Sequence, residues 1–146
     1  PVMKNFFVTL CLLTASLCAF AQNKSELRFK YIEKNLGVDQ VTLKKLAPTI
    51  KGYIKEMKEA GDIYDDVKDE FKDNIKKGKL SEKQAAKLNQ SKINSETKEL
   101  QVRNKYYAKF KALTNELVIY RIFKLANDKK SKFMPAKKKS SDDDED

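Results

Sequence analysis

LKKLAPTIKGYIKEMKEAGDIYDDVKDEF, residues 43–71, decides the fold. Leu43, Leu46, Ile50, Tyr53, Met57, Ala60, Tyr64, Val67 and Phe71 follow one another at spacings that alternate three and four. This seven-residue repeat, held for four heptads, is the mark of a long helix with one apolar seam. Asp39 is a suitable N-cap and Gly78 a suitable terminator, so the helix is expected over about residues 40–77, roughly 55 Å at 1.5 Å per residue. Pro48 lies inside it and predicts a kink or break near Leu46–Ala47, because proline removes a backbone donor. Gly52 and Gly61 each weaken it by about 1 kcal/mol relative to Ala.

Working outward, no stretch alternates like a strand. A first helix is expected from Ser25 to Leu36, with Phe29, Ile32 and Leu36 on one stripe and Gly37 at the left-handed position that closes it. Ser81 and Gln84 form a capping box that opens a third helix. This helix runs to about Leu113, with Ile93, Leu100, Tyr107 and Phe110 as its inward stripe. Thr114 is read as the next N-cap. The fourth helix carries Leu117, Val118, Ile119, Ile122, Phe123, Leu125 and Ala126, reaches Phe133 and stops at Pro135. If the second and third helices fold back around Lys79, Phe71 falls near Leu88, Tyr64 near Ile93, Met57 near Leu100, Ile50 near Tyr107 and Leu46 near Leu113. The expected fold is therefore all-α: an elongated, long antiparallel helical hairpin with two shorter flanking helices around Leu43, Leu46 and Ile50, four helices in total. So few helices leave one apolar face open, and a homodimer is the economical cover.

The first 21 residues have the layout of a cleavable signal peptide. Lys4 supplies a positive n-region, Phe6–Leu17 an apolar h-region, and Ala19 and Ala21 the small residues that precede cleavage at Gln22. Met3 is read as the natural start. The run is shorter than the roughly 20 residues of a membrane span, so the mature form is not expected to span a membrane. Bulky Leu17 argues against lipoprotein processing at Cys18. Cleavage takes 21 of the 146 residues, both cysteines (Cys11 and Cys18) and Lys4, and leaves 125 residues with a net charge of +9. The domains are then residues 1–21 as signal peptide, 22–135 as one helical domain and 136–146 as a disordered charged tail.

Composition narrows function. The chain has no histidine, and the exported part has no cysteine. The usual ligands of zinc, copper and nickel are missing, as are the commonest nucleophile–base arrangements. No enzyme activity, metal or other cofactor is expected. The acids Asp62, Asp65, Asp66, Asp69, Glu70 and Asp73 point apart on a helix and cannot wrap a calcium ion as a loop does. The strong basic charge would indicate nucleic acid in the cytoplasm. Outside it, the expected partners are unfolded or acidic proteins, anionic lipid or polyanionic glycans. Lys51, Lys55, Lys58, Lys98, Arg103, Lys105, Lys109 and Lys111 surround the middle of the hairpin, and Val102 and Tyr106 sit off the third helix's core stripe. The candidate client-binding surface is accordingly Lys51, Lys55, Lys58, Val102, Arg103, Tyr106 and Lys109.

Three stretches carry a resemblance: YIEKNLGVDQVTLKKLAPTIKGY (31–53), KYYAKF (105–110) with Leu113-Thr114-Asn115-Glu116, and Leu80-Ser81-Glu82-Lys83-Gln84. Over about Phe29–Phe133 the chain resembles the Spy/CpxP-like (LTxxQ) periplasmic family in its Bacteroidetes form. It departs at Leu117, where the family motif has Gln, and at Gly37-Val38-Asp39, where Leu-Thr-Pro is common. The resemblance implies a dimeric, cradle-shaped, ATP-independent chaperone or holdase in the periplasm. Two alternatives stay open: a regulatory partner of a membrane stress sensor or sigma/anti-sigma system, and a structural or polyanion-binding envelope protein.

Overall fold

The computed structural model describes residues 24–128, which are all-helical. The signal segment, its cleavage residues Ala19, Ala21 and Gln22, and the charged tail lie outside the described residues. Among the described residues five helices are present rather than four. Helix α1 is described over residues 24–35, α2 spans Gln40–Glu70, α3 Lys72–Lys76, α4 Glu82–Lys111 and α5 Glu116–Asn127.

Helix ends follow local chemistry. Gly37 and Gly78 adopt φ of 70° and 63°, the left-handed region that glycine enters without strain. The Thr42 amide donates to the Asp39 carboxylate at 2.6 Å. Ser81 and Gln84 bond reciprocally as a capping box, and Asn74 donates to the same Gln84 side chain at 3.1 Å. The N-cap of α5 is Asn115 and not Thr114. The Thr114 amide still bonds the Phe110 carbonyl at 2.9 Å, whereas Asn115 is extended and accepts from the Val118 amide at 3.1 Å. Helix α5 ends at Asn127, short of Phe133. Asp128 turns extended there, and its carboxylate accepts from the Tyr31 hydroxyl at 2.8 Å.

The expected second helix divides, but at Phe71 and not at Pro48. Helix α2 runs unbroken through Pro48. Pro48 is exposed, so the Lys44 carbonyl it frees lies on the solvent side, and fully buried Leu46 and Ile50 hold the turns on either side. Phe71 instead leaves the helical well at φ −104°, ψ 13°. The bonds spanning it persist, Phe71 to Val67 at 3.3 Å and Ile75 to Phe71 at 2.9 Å.

Contacts between α2 and α4 pair falling with rising numbers: Glu70 with Lys87, Tyr64 with Lys92, Ala60 with Ser95, and Glu56 with Lys105 and Tyr106. Buried Phe29, Ile32 and Leu36 of α1 and Val118, Ile119 and Ile122 of α5 join Leu43, Leu46, Ile50, Tyr53, Val102, Tyr106 and Phe110 in one core. The rings of Tyr53, Phe110 and Phe123 meet at centroid distances of 5.3 to 6.2 Å. Burying Leu, Ile or Phe gains about 1.5–3 kcal/mol each, so stability concentrates at this end.

The inward face of α4 differs from the expected one. Its buried residues are Leu88, Ser91, Ser95, Val102, Tyr106 and Phe110. Ile93, Leu100 and Tyr107 are exposed, the first two at 56% and 55%. Of the expected stripe only Phe110 is buried; residues two apart on a helix point about 160° apart, so Ile93 and Leu100 face almost directly away from buried Ser95 and Val102. Small side chains explain the choice. Ser95 Oγ donates to the Ala60 carbonyl at 2.8 Å, which satisfies its hydroxyl inside a close helix contact. Tyr106 crosses Gly52 so tightly that a Cβ there would sit 2.6 Å from its hydroxyl oxygen.

Gly52→Ala is therefore expected to lower stability by about 1–3 kcal/mol through overpacking, against its gain of about 1 kcal/mol in helix propensity. Gly61→Ala meets nothing closer than Glu99 Oε1 at 3.8 Å and should raise stability by up to about 1 kcal/mol. Urea denaturation of the two variants checks the contrast.

Candidate functional site

The seven sequence-predicted surface residues do not form one surface. Lys51, Lys55 and Lys58 recur one and two turns apart on α2 and edge an open groove of about 600 Å³ against Ser25, Glu26 and Phe29 of α1. Within it, Lys51 Nζ lies 4.7 Å over the Phe29 ring, and Lys58 bonds Asp62 at 2.7 Å. Lys51 is thus stacked and Lys58 already paired. Lys55 is exposed and has no carboxylate within salt-bridge distance among the described residues.

Val102 and Tyr106 are corrected from surface to core. They are 2% and 4% exposed, inside the α2–α4 contact. The Tyr106 hydroxyl donates to Glu56 Oε1 at 2.8 Å, and Lys105 Nζ donates to both Glu56 oxygens at 2.8 and 2.9 Å. Lys109 Nζ lies 4.8 Å over the Tyr106 ring, a cation–π contact. Lys105 and Lys109 are therefore tied to Tyr106 and Glu56, on a different edge of α2 from the groove. Arg103 is half-buried beside Tyr53.

Burial, then the hydrogen bond to anionic Glu56, pushes the Tyr106 hydroxyl up to about 12. The hydrogen bonds from Lys105 and then Tyr106 hold the Glu56 carboxyl below the usual carboxylate range. Burial raises the Tyr53 hydroxyl. These shifts report a locked helix contact.

The exposed apolar side chains lie elsewhere. Ile93, Leu100 and Tyr107 form an outward stripe on α4, and Leu117 and Tyr120 on α5 are exposed at 59% and 61%. Tyr107 links the two helices. Its hydroxyl donates to Glu116 at 2.9 and 3.1 Å, and its ring lies 6.4 Å from Phe123. The seven-residue spacing of this stripe was visible in the sequence, but hydropathy alone assigns such a stripe to a core.

Among the described residues there is no cluster of three or more metal-ligating side chains, and no helix is long and apolar enough to cross a membrane. Comparison with protein-family models, curated proteins and solved structures finds no match to this chain.

The Glu56 contact has a defined pH signature. Its folded carboxyl titrates below the ordinary 4.5, so its stabilisation is present above pH 4.5 and is lost as pH falls through the folded value. The melting temperature of Glu56→Gln should therefore lie furthest below wild type at neutral pH, and the gap should close in acid. Tyr106 has the opposite sign. Its stabilisation is complete below pH 10 and is lost as pH rises through about 12. Tyr106→Phe should lack that alkaline component. Thermal melts across pH check both.

Proposed function

We propose that the protein is an exported, non-enzymatic holdase of the Spy/CpxP-like kind, which binds unfolded or acidic protein segments without ATP. The observation that carries this reading is the outward stripe of Ile93, Leu100 and Tyr107 in a chain of which 36% is charged. It replaces the buried Val102 and Tyr106 as the apolar part of the client surface. In this reading α2 and α4 form the two arms of an antiparallel hairpin, with the core at one end. The lysines of the α1–α2 groove draw acidic segments from a distance.

Magnitudes favour weak, reversible capture. Three apolar side chains offer about 1.5–3 kcal/mol each when fully buried. Association costs about 4–15 kcal/mol in lost freedom. The stripe alone cannot hold a client tightly, and a chaperone with no energy source needs release by simple dissociation. Periplasmic location and a homodimer belong to the same proposal, since a second copy offers an identical stripe.

The test is suppression of aggregation of a reduced client by the exported form at an equimolar ratio without ATP, with mass in solution measured alongside. Replacing Ile93, Leu100 and Tyr107 together by Ser should abolish suppression while shifting stability by only about 0.5 kcal/mol at each of positions 93 and 100, and by more at 107, whose hydroxyl bonds Glu116 and whose ring lies beside Phe123. Phe110→Ala should cost about 3–5 kcal/mol and act through unfolding. No suppression by wild type at several-fold excess, or full suppression by the triple variant, overturns the reading. Loss of dimer mass with unchanged suppression assigns the stripe to self-association instead.

A further inference from the structure

Charge is divided unevenly over the molecule. Residues 52–99, which run from α2 beyond Lys51 through α3 into α4, carry eleven Lys against eleven Asp or Glu and so no net charge. Residues 24–51 and 100–128 hold α1, the start of α2, the end of α4 and α5. They carry thirteen Lys or Arg against five Asp or Glu. The whole positive surplus of the described residues therefore sits at the end that holds most of the core. Ion pairs sharpen the division. Lys58, Lys87 and Lys92 are paired within the neutral part. Arg121 and Lys124 on α5 have no carboxylate within salt-bridge distance among the described residues.

The same end carries the most exposed apolar groups. Val41, Tyr120 and Leu117 are the three most exposed large hydrophobic residues among those described, at 79%, 61% and 59%. On α5 the buried Val118, Ile119, Ile122 and Ala126 take one side. Leu117, Tyr120, Arg121 and Lys124 are all exposed, and they fall within about 100° of one another on the other side. Glu116, the first residue of α5, is its only acid, and it is engaged by the Tyr107 hydroxyl and by Lys111. Arg121 Nη1 lies 4.0 Å from where a Cβ on Gly37 would stand. That guanidinium thus sits beside the α1–α2 turn, four residues before Val41. Lys129, Lys130 and Lys132 follow α5 directly in the sequence.

A surface that is cationic and also exposes Leu and Tyr suits a layered partner. Anionic headgroups draw Lys and Arg over about a Debye length. Behind the headgroups lies hydrocarbon, which takes up a Leu side chain, and a Tyr ring settles at the boundary with its hydroxyl in water. A polyanionic glycan offers the charge without the apolar layer and leaves Leu117 and Tyr120 unused. We propose that the outer face of α5, formed by Leu117, Tyr120, Arg121 and Lys124, docks the protein on the surface of an anionic lipid bilayer. Two apolar side chains on that face make the attachment reversible and sensitive to salt. The neutral part of α2 and α4 adds no net attraction, so the molecule docks by its basic end. The proposal goes beyond the holdase reading and does not rest on it, since the face excludes Ile93, Leu100 and Tyr107.

The test is sedimentation of the exported form, residues 22–146, with vesicles of phosphatidylglycerol and phosphatidylcholine in equal parts or of phosphatidylcholine alone. The run Phe6–Leu17 is left out because it would enter lipid by itself. Binding to the anionic vesicles should be at least about tenfold tighter than to the neutral ones. Arg121→Gln with Lys124→Gln should weaken it about tenfold, and Leu117→Ser with Tyr120→Ser should weaken it several-fold. The charge-matched pair Lys76→Gln with Lys77→Gln, in the neutral part, should change it less than about twofold. Circular dichroism verifies each variant as helical. The chain has no tryptophan, so Tyr120→Trp gives a single reporter. Its emission should shift to the blue on anionic vesicles and be quenched by brominated acyl chains. Equal losses in the two Gln pairs, or a bound Tyr120→Trp without a blue shift, overturn the proposal. So does binding to dextran sulfate that matches binding to vesicles and is untouched by Leu117→Ser with Tyr120→Ser, which would assign the basic end to polyanions. No vesicle binding with client suppression intact would remove the docking face and leave the holdase reading standing.

Discussion

The close approach of α2 and α4 at Gly52–Tyr106 and Ala60–Ser95 is the constraint on which the rest depends. Small residues let the two helices touch, and the Ser95 hydroxyl bonds the Ala60 carbonyl rather than water. That contact determines the rotation of α4 about its own axis. Once Ser95, Val102 and Tyr106 point inward, Ile93, Leu100 and Tyr107 must point outward. The apolar surface proposed for client capture is thus a consequence of how two small side chains pack. Oil-like burial of the largest residues would have chosen the other face. The ordered rings of Tyr53, Tyr106 and Phe110 then close the seam, and Glu56 with Lys105 and Lys109 seals its edge.

Charge follows the same geometry. The positive net charge of the chain suggests a broad basic face, yet many of its lysines are engaged locally. Lys58 faces Asp62, Lys87 faces Glu70, Lys92 faces Glu96 and Lys105 faces Glu56. Lys51, Lys109 and Lys111 lie over aromatic rings. Exposed pairs of this kind add little stability, but they blunt the surface field. Other lysines, such as exposed Lys55 at the α1–α2 groove, stay outside these pairs among the described residues.

Where helices begin and end was largely legible, because caps are local chemistry. Asp39, Gly37, Gly78 and the Ser81–Gln84 box act as their residue types dictate. The inward stripe of α2 was legible too, since large apolar residues mark it from Leu43 to Tyr53. The inward face of α4 was not. Its buried positions include Ser91 and Ser95, which hydropathy places outside, while Ile93 and Leu100 read as core. Only the partner helix, with Gly52 and Ala60 opposite, makes the small side chains the better fit. The same swap of faces puts Val102 and Tyr106 on the surface when the sequence alone is read, although both are buried. Pro48 misled for a related reason: its effect depends on which side of the helix it occupies, and it occupies the wet one.

The rotation of α4 is tested most directly by thiol accessibility. Single cysteines at positions 93, 100, 95 and 102, introduced as Ile93→Cys, Leu100→Cys, Ser95→Cys and Val102→Cys in a Cys11→Ser, Cys18→Ser background, would be labelled under native conditions. Fast labelling at 93 and 100 with slow labelling at 95 and 102 is the expected result. The reverse order would place the large apolar stripe inside and contradict the account.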